Sequence, residues 1–216
     1  MHVTIINGSP RAKQHSNTNK IIASFGKGLF DTGCSYDLYT LANRSEWEAA
    51  RRAFMTSPKI IIALPLYVES APGILLEFLE SLPTQRENPA ELSFLLQSGF
   101  AEACQLRCGE RFLQTLPSQL GCTYGGCLIK GDNFGIRIME GKEQERILNP
   151  YIEMGRSYGT KGNFLTPEAR KFAGPETFPW LVRTIIKVVY WSYSHKIFEK
   201  AAQNWGCTRP LDDRPY

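Results

Sequence analysis

Lys59-Ile-Ile-Ile-Ala-Leu64 limits the fold more than any other segment. Its apolar residues run without alternation, so a strand built from it must be covered on both faces of its sheet. Val3 to Ile6 and Leu92 to Leu96 have the same character. Helical spacing of apolar residues marks the segment between the first two, Asn19 to Phe30. Buried strands alternating with helices predict an α/β chain with a doubly wound parallel sheet. At 216 residues the chain is ample for one such domain and short for two.

The remaining elements follow from local signals. Ser35 to Leu41 alternates like a strand, and Ser45 is expected to cap a helix over Glu46–Met55, with Glu46 and Glu48 at its positive end. Pro72 suits the first turn of a helix over Gly73–Leu82, and a polar connection covers 83–91. A helix over Gln105–Leu120 ends or bends at Pro117. Cys122 to Lys130 supplies a fifth strand, weakened by Gly125-Gly126. Glu143 to Tyr158 keeps a helical period across Asn149-Pro150, either as one kinked helix or as two with Asn149 capping the second. A loop is expected over 159–174. From Phe178 to Trp205 a helical pattern changes its apolar face by roughly half a turn near 190–194. Leu181, Ile185 and Val189 lie on one side; Ile197, Phe198, Ala201 and Trp205 lie on the other. Either the helix breaks there, or its halves pack on different bodies.

Strand Val3–Ile6 runs into Asn7-Gly8-Ser9-Pro10-Arg11, and Ser16-Asn17-Thr18 precedes the next helix. Free amides at a helix N-terminus favour an anion, and Ser9, Ser16, Asn17 and Thr18 add donors suited to a terminal phosphate monoester. The segment has neither the G-x-x-x-x-G-K-[ST] of a Walker loop nor the G-x-G-x-x-G of a dinucleotide loop. Gly8-Ser9-Pro10-Arg11 with Ser16-Asn17-Thr18 resembles the phosphate loop of the NAD(P)H-dependent FMN reductase family, of the flavodoxin-like superfamily. Pro65-Leu66-Tyr67-Val68 through Pro72-Gly73 is similar to that family's second flavin loop, and Gln97-Ser98-Gly99-Phe100 to its third. The resemblance spans about residues 1–132 and implies a five-stranded sheet of order 2-1-3-4-5; length and helical periodicity add residues 133–216 as a helical C-terminal part of a single domain over 1–216.

The resemblance further implies a site. Ser9, Arg11, Ser16, Asn17 and Thr18 would hold the FMN phosphate, with Arg11 equally able to reach the 2′-phosphate of NADPH. Pro65, Leu66, Tyr67 and Val68 would meet the isoalloxazine ring; Ser98, Gly99 and Phe100 would line its pyrimidine edge. Hydride transfer between nicotinamide and flavin needs no protein acid or base, so no catalytic residue is expected and none of His2, His15 and His195 is nominated. The expected activity is reduction of a small acceptor (a flavin, a quinone or another redox-active compound) by NAD(P)H. The competing classes are a flavodoxin-type electron shuttle and a binding module that has lost the flavin.

Charge bears on this choice. With 25 basic and 21 acidic residues, net +4, the chain is mildly basic. It has no basic cluster of the kind that binds nucleic acid, and it is unlike the acidic flavodoxin shuttles. Met1-His2 leads straight into a strand, and Arg183, Lys187, His195 and Lys196 interrupt the longest apolar stretch. The expectation is a cytoplasmic protein with no membrane partner and reduced cysteines. Cys104/Cys108 and Cys122/Cys127 lack the C-x-x-C spacing, so no metal is assigned. The reversed stripe after Tyr190 favours a homodimer that uses the last helix.

Overall fold

Ile5, Ile61 and Leu95 face one side of the sheet while Ile6, Ile62 and Leu96 face the other, and all six are buried. The computed structural model that shows this describes residues 1–83, 86 and 88–213, with every side chain among them except that of Trp191. The strands are β1 (His2–Asn7), β2 (Ser35–Thr40), β3 (Lys59–Pro65), β4 (Glu91–Gln97) and β5 (Thr123–Lys130). All neighbours pair in parallel, in the order β2-β1-β3-β4-β5. This is the flavodoxin-like order.

Eight α-helices are described: α1 (Asn17–Asp31), α2 (Trp47–Thr56), α3 (Gly73–Glu80), α4 (Arg107–Gln119), α5 (Gly135–Ile138), α6 (Gly141–Lys161), α7 (Pro167–Phe172) and α8 (Trp180–Asn204). Phe25 and Leu29 of α1 and Tyr151 and Tyr158 of α6 cover one sheet face. Phe54 of α2, Phe78 of α3 and Leu113 of α4 cover the other. The chain turns to opposite faces after β1 and after β3, which opens a crevice at their carboxyl ends.

Several elements depart from the sequence reading. Ser45 is not an N-cap; it lies in a 3₁₀ turn, Arg44–Glu46, whose cap is Asn43, and the Asn43 carboxamide accepts the Ser45 N–H at 3.3 Å. Of the two alternatives at Asn149-Pro150 the structure has the single helix: α6 runs through Pro150, which sits on the exposed side where the carbonyl it frees can be solvated. The stretch 159–174 contains α7, signalled by Thr166-Pro167-Glu168: the Thr166 hydroxyl accepts the Ala169 N–H and Pro167 takes the first helical position. Gly125-Gly126 does not weaken β5 so much as bulge it, the register slipping between Leu92 and Phe94, with Gly126 at φ 92°. The connection over 83–91 lies partly outside the described residues.

Met1–Glu176 forms one compact unit, and the chain from Thr177 onward forms a second. Residues 133–176 thus pack with the sheet. In the second unit α8 is a single unbroken helix across the point where its apolar stripe reverses. Tyr190 and Phe198 meet edge to face at 6.2 Å along it.

Helices α1 and α6 cross at Gly28 and Gly155. A Cβ on Gly28 would overlap the Ile152 carbonyl, and one on Gly155 the Phe25 carbonyl. Alanine favours an isolated helix by about 1 kcal/mol over glycine, yet here it must push the helices apart. Gly28→Ala is expected to destabilise the fold by about 1–3 kcal/mol, read as a lower midpoint in urea unfolding. An unchanged or higher midpoint would contradict the close crossing.

Candidate functional site

The site begins where β1 ends. Gly8 N–H continues the ladder to the Ala63 carbonyl at 2.8 Å, and the Asn7 carboxamide oxygen then accepts the Ser9 N–H at 3.0 Å. Asn7 Nδ2 is buried and has no partner among the described residues. The Ser9 hydroxyl accepts the Arg11 N–H at 3.3 Å. Ser16 is the N-cap of α1, its hydroxyl accepting the Asn19 N–H at 3.2 Å. The Asn17 and Thr18 amides, as first-turn donors, have no intrahelical acceptor. Thr18 Oγ1 accepts from the buried Gln97 Nε2 at 3.2 Å. Ser9 and Thr18 therefore each have an acceptor position engaged by the protein and a hydroxyl proton to give.

A second loop follows β3. Leu66 N–H reaches the Gln97 carbonyl at 2.8 Å, and Tyr67 and Ser70 exchange both backbone hydrogen bonds at 3.0 Å. Val68 and Glu69 between them have φ of 47° and 65°. Two central residues at positive φ make a type I′-like turn, normally built from Asn and Gly. A β-branched residue there is strained by roughly 1–3 kcal/mol. The strained turn holds Val68 out at 85% exposure on the rim of the crevice.

Two further loops close the opposite side. Ser98 N–H bonds the Lys130 carbonyl at 3.1 Å, and the Ser98 hydroxyl donates to the Phe100 carbonyl at 3.3 Å. After β5, Gly131 passes so close to Phe100 that a Cβ would overlap its carbonyl. Asp132, at φ 59°, donates its N–H to Phe100 O at 2.9 Å. Asn133 N–H bonds Ser98 O at 3.0 Å, and its Nδ2 donates to Lys130 O at 2.9 Å. The Tyr151 hydroxyl donates to Asn133 Oδ1 at 3.0 Å. Asn17 Nδ2 donates to the Asn133 carbonyl at 2.9 Å. Burial pushes the Tyr151 hydroxyl well above the ordinary phenol range, and the Asn133 bond offsets only part of that, so it stays a donor.

Together these loops enclose a cleft of about 310 Å³. Ser9, Arg11, Asn17, Thr18, Pro65, Leu66, Tyr67, Val68, Ser98, Gly99 and Phe100 all line it. Ser16 does not; its side chain is buried in the cap. Gln97, which opens the third loop motif without an assigned role, lines it as well, as do Asn133, Phe134 and Arg137, which were not anticipated. Gln97 reads as the last residue of an apolar strand. Gly131-Asp132-Asn133 is a turn signal after the fifth strand, at the same sheet edge as the other loops, and it marks the place. The described lining carries two arginines and no carboxylate, so its field favours an anionic ligand. Tyr67, Phe100 and Phe134 are exposed around it. Among the described residues no cluster of His, Cys, Asp and Glu could hold a metal ion, and no helix is long and apolar enough to cross a membrane.

The strain at the second loop can be measured. Glycine at 69 needs no steric concession at φ 65°, so Glu69→Gly is expected to raise stability by about 1 kcal/mol. Thermal unfolding of the variant beside the intact chain reads this directly, and a loss of stability would contradict the left-handed turn.

No family model matches the sequence, and no curated protein matches it. Solved structures do resemble it. An NAD(P)H:quinone oxidoreductase from Methanothermobacter marburgensis aligns over 74% of this chain and 97% of its own, at 15% identity and a TM-score of 0.55. An azoreductase from Bacillus anthracis str. Sterne aligns over 74% and 99%, at 11% identity and 0.53. The apo form of an NADH:FMN oxidoreductase aligns over 78% and 93%, at 17% identity and 0.55. The chain shares the flavodoxin-like fold with these reductases, and in it the cleft lies at the carboxyl ends of a parallel 2-1-3-4-5 sheet.

Proposed function

We propose that this chain is an oxidoreductase that holds FMN in the cleft, takes hydride from NAD(P)H and reduces a small acceptor such as a flavin, a quinone or another redox-active compound. One observation carries the reading. Between the loop after β1 and the start of α1 the Ser9 and Thr18 hydroxyls accept from the protein and keep their protons to donate, beside the Asn17 and Thr18 amides, which as first-turn donors have no intrahelical acceptor. A donor-rich pocket beside Arg11 suits a group that only accepts, and a terminal phosphate dianion is such a group. FAD offers no terminal phosphate, so FMN fits better.

The other residues take roles consistent with that placement. Pro65, Leu66, Tyr67 and Val68 would pack against the ring, and Ser98, Gly99 and Phe100 would meet its polar edge. Bound there, the flavin supplies the hydride chemistry, while the protein orients it and excludes water. Phe134 and Arg137 stand on the rim, where a nicotinamide donor or an acceptor would enter. The names of the structural neighbours, quinone and azo reductases among them, support a small-molecule acceptor over a macromolecular one. A flavodoxin-type shuttle is less favoured, since the structural neighbours are named as reductases of small molecules. We further propose a cytoplasmic setting with no nucleic-acid partner. All six cysteines stand as free thiols, which suits a reducing compartment.

We also propose a homodimer. On α8, Leu181, Ile185 and Val189 are exposed on one face, and Ile197, Phe198 and Trp205 on the other. Each large side chain left in water forfeits about 1.5–3 kcal/mol of burial, and a two-fold self-contact would cover both faces in both copies at once. An interfacial membrane helix needs one continuous apolar face, and α8 has two that are opposed. A second copy of the chain answers both.

Three measurements follow. The purified protein should bind FMN, and its absorption near the flavin bands should bleach when NADPH is added without oxygen; a folded protein that does not quench FMN fluorescence would refute the reading. Ser9→Ala with Thr18→Val should weaken FMN by roughly 3 kcal/mol, whereas Ser16→Ala should cost about 1 kcal/mol of fold stability and leave FMN affinity alone. In analytical ultracentrifugation the intact chain should sediment as a dimer, and Phe198→Glu with Trp205→Glu should shift it towards monomer. An intact protein that sediments as a monomer defeats the assembly.

A further inference from the structure

Asn133 engages a different segment of the chain with each of its polar groups, and two of them, at Ser98 and Asn17, lie on the cleft. Its backbone N–H holds the loop after β4 through Ser98 O, at 3.0 Å. Its carbonyl takes the Asn17 side chain from the start of α1, at 2.9 Å. Its carboxamide spans Lys130 O at 2.9 Å and the Tyr151 hydroxyl at 3.0 Å. Asn133 is itself 1% exposed and lines the cleft. The Tyr151 hydroxyl is buried too, and its ring is fixed edge to face on Phe172 at 5.1 Å. A path of hydrogen bonds thus runs from α6 through Asn133 and divides to the phosphate side and the ring side of the cleft.

We propose that Asn133 is a positioning residue for FMN, keeping the phosphate loop and the ring-edge loop in register, and that Tyr151 fixes Asn133 in that role. The proposal rests on the FMN reading above. Its physical basis is preorganisation. A ligand that grips both loops at once binds best when their separation is already set, because otherwise part of its binding energy goes into ordering them. A ligand that grips one loop is indifferent to the separation. A residue that only stabilised the fold would affect both ligands alike.

Riboflavin has the ring and lacks the phosphate, so the pair FMN and riboflavin separates these cases. Fluorescence titrations of both are made on the intact chain, on Tyr151→Phe and on Asn133→Ala, with a thermal melt of each. Tyr151→Phe removes one oxygen atom and keeps the ring against Phe172, so it supplies the measurement where Asn133→Ala fails to fold. The expected result is that the preference for FMN over riboflavin falls about tenfold in Tyr151→Phe and at least as far in Asn133→Ala, while riboflavin affinity changes by no more than about twofold. Equal losses for the two flavins, or an unchanged FMN affinity, overturn the positioning role and leave the FMN reading standing. An intact protein that does not bind FMN overturns both.

Discussion

Three neighbouring strands with no polar face cannot lie at the surface of anything, and the rest of the molecule answers that demand. β1, β3 and β4 carry buried residues on both sides, so helices must be laid on each face in turn. A parallel sheet allows this only through crossover connections. Crossovers that leave to opposite faces part at the carboxyl edge of β1 and β3, and the parting is the cleft. The place where a ligand can sit is therefore a by-product of how the core is covered.

For the same reason the fold was legible in the sequence. The runs at Val3–Ile6, Lys59–Leu64 and Leu92–Leu96 have one physical interpretation, and the helical spacing between them supplies the cover. Legibility failed where tertiary context outweighed a local signal. At Pro150 the sequence leaves one helix and two equally open, and it is the burial of Tyr151 and Tyr158 that carries α6 through as one. Ser45 looks like a cap, but the chain tightens into a 3₁₀ turn one step earlier. Of the cleft residues, those in loops with recognisable hydroxyl, glycine or aromatic patterns were readable. Asn133 was not, and neither was the role of Gln97, because what they do depends on partners 116 and 79 positions away along the chain.

Those two residues show how polar groups are used in the interior. Gln97 reaches Thr18, and Asn133 reaches Asn17, so consecutive residues in the first turn of α1 are each tied to a different strand end. Each tie satisfies groups whose burial alone would cost about 1–3 kcal/mol. The α1 side of the cleft is held by the core rather than by the loop that precedes it. The second loop is different: its Tyr67–Ser70 turn closes on itself and holds strain at Val68 and Glu69.

The glycine crossing of α1 and α6 has a consequence for how the cleft can change its width. With Gly28 and Gly155 in contact, backbone against backbone, α1 has no slack in which to rock or slide. Any change in the width of the cleft has to come from the loops that line it, because the backbone contact at Gly28 and Gly155 fixes α1 against α6.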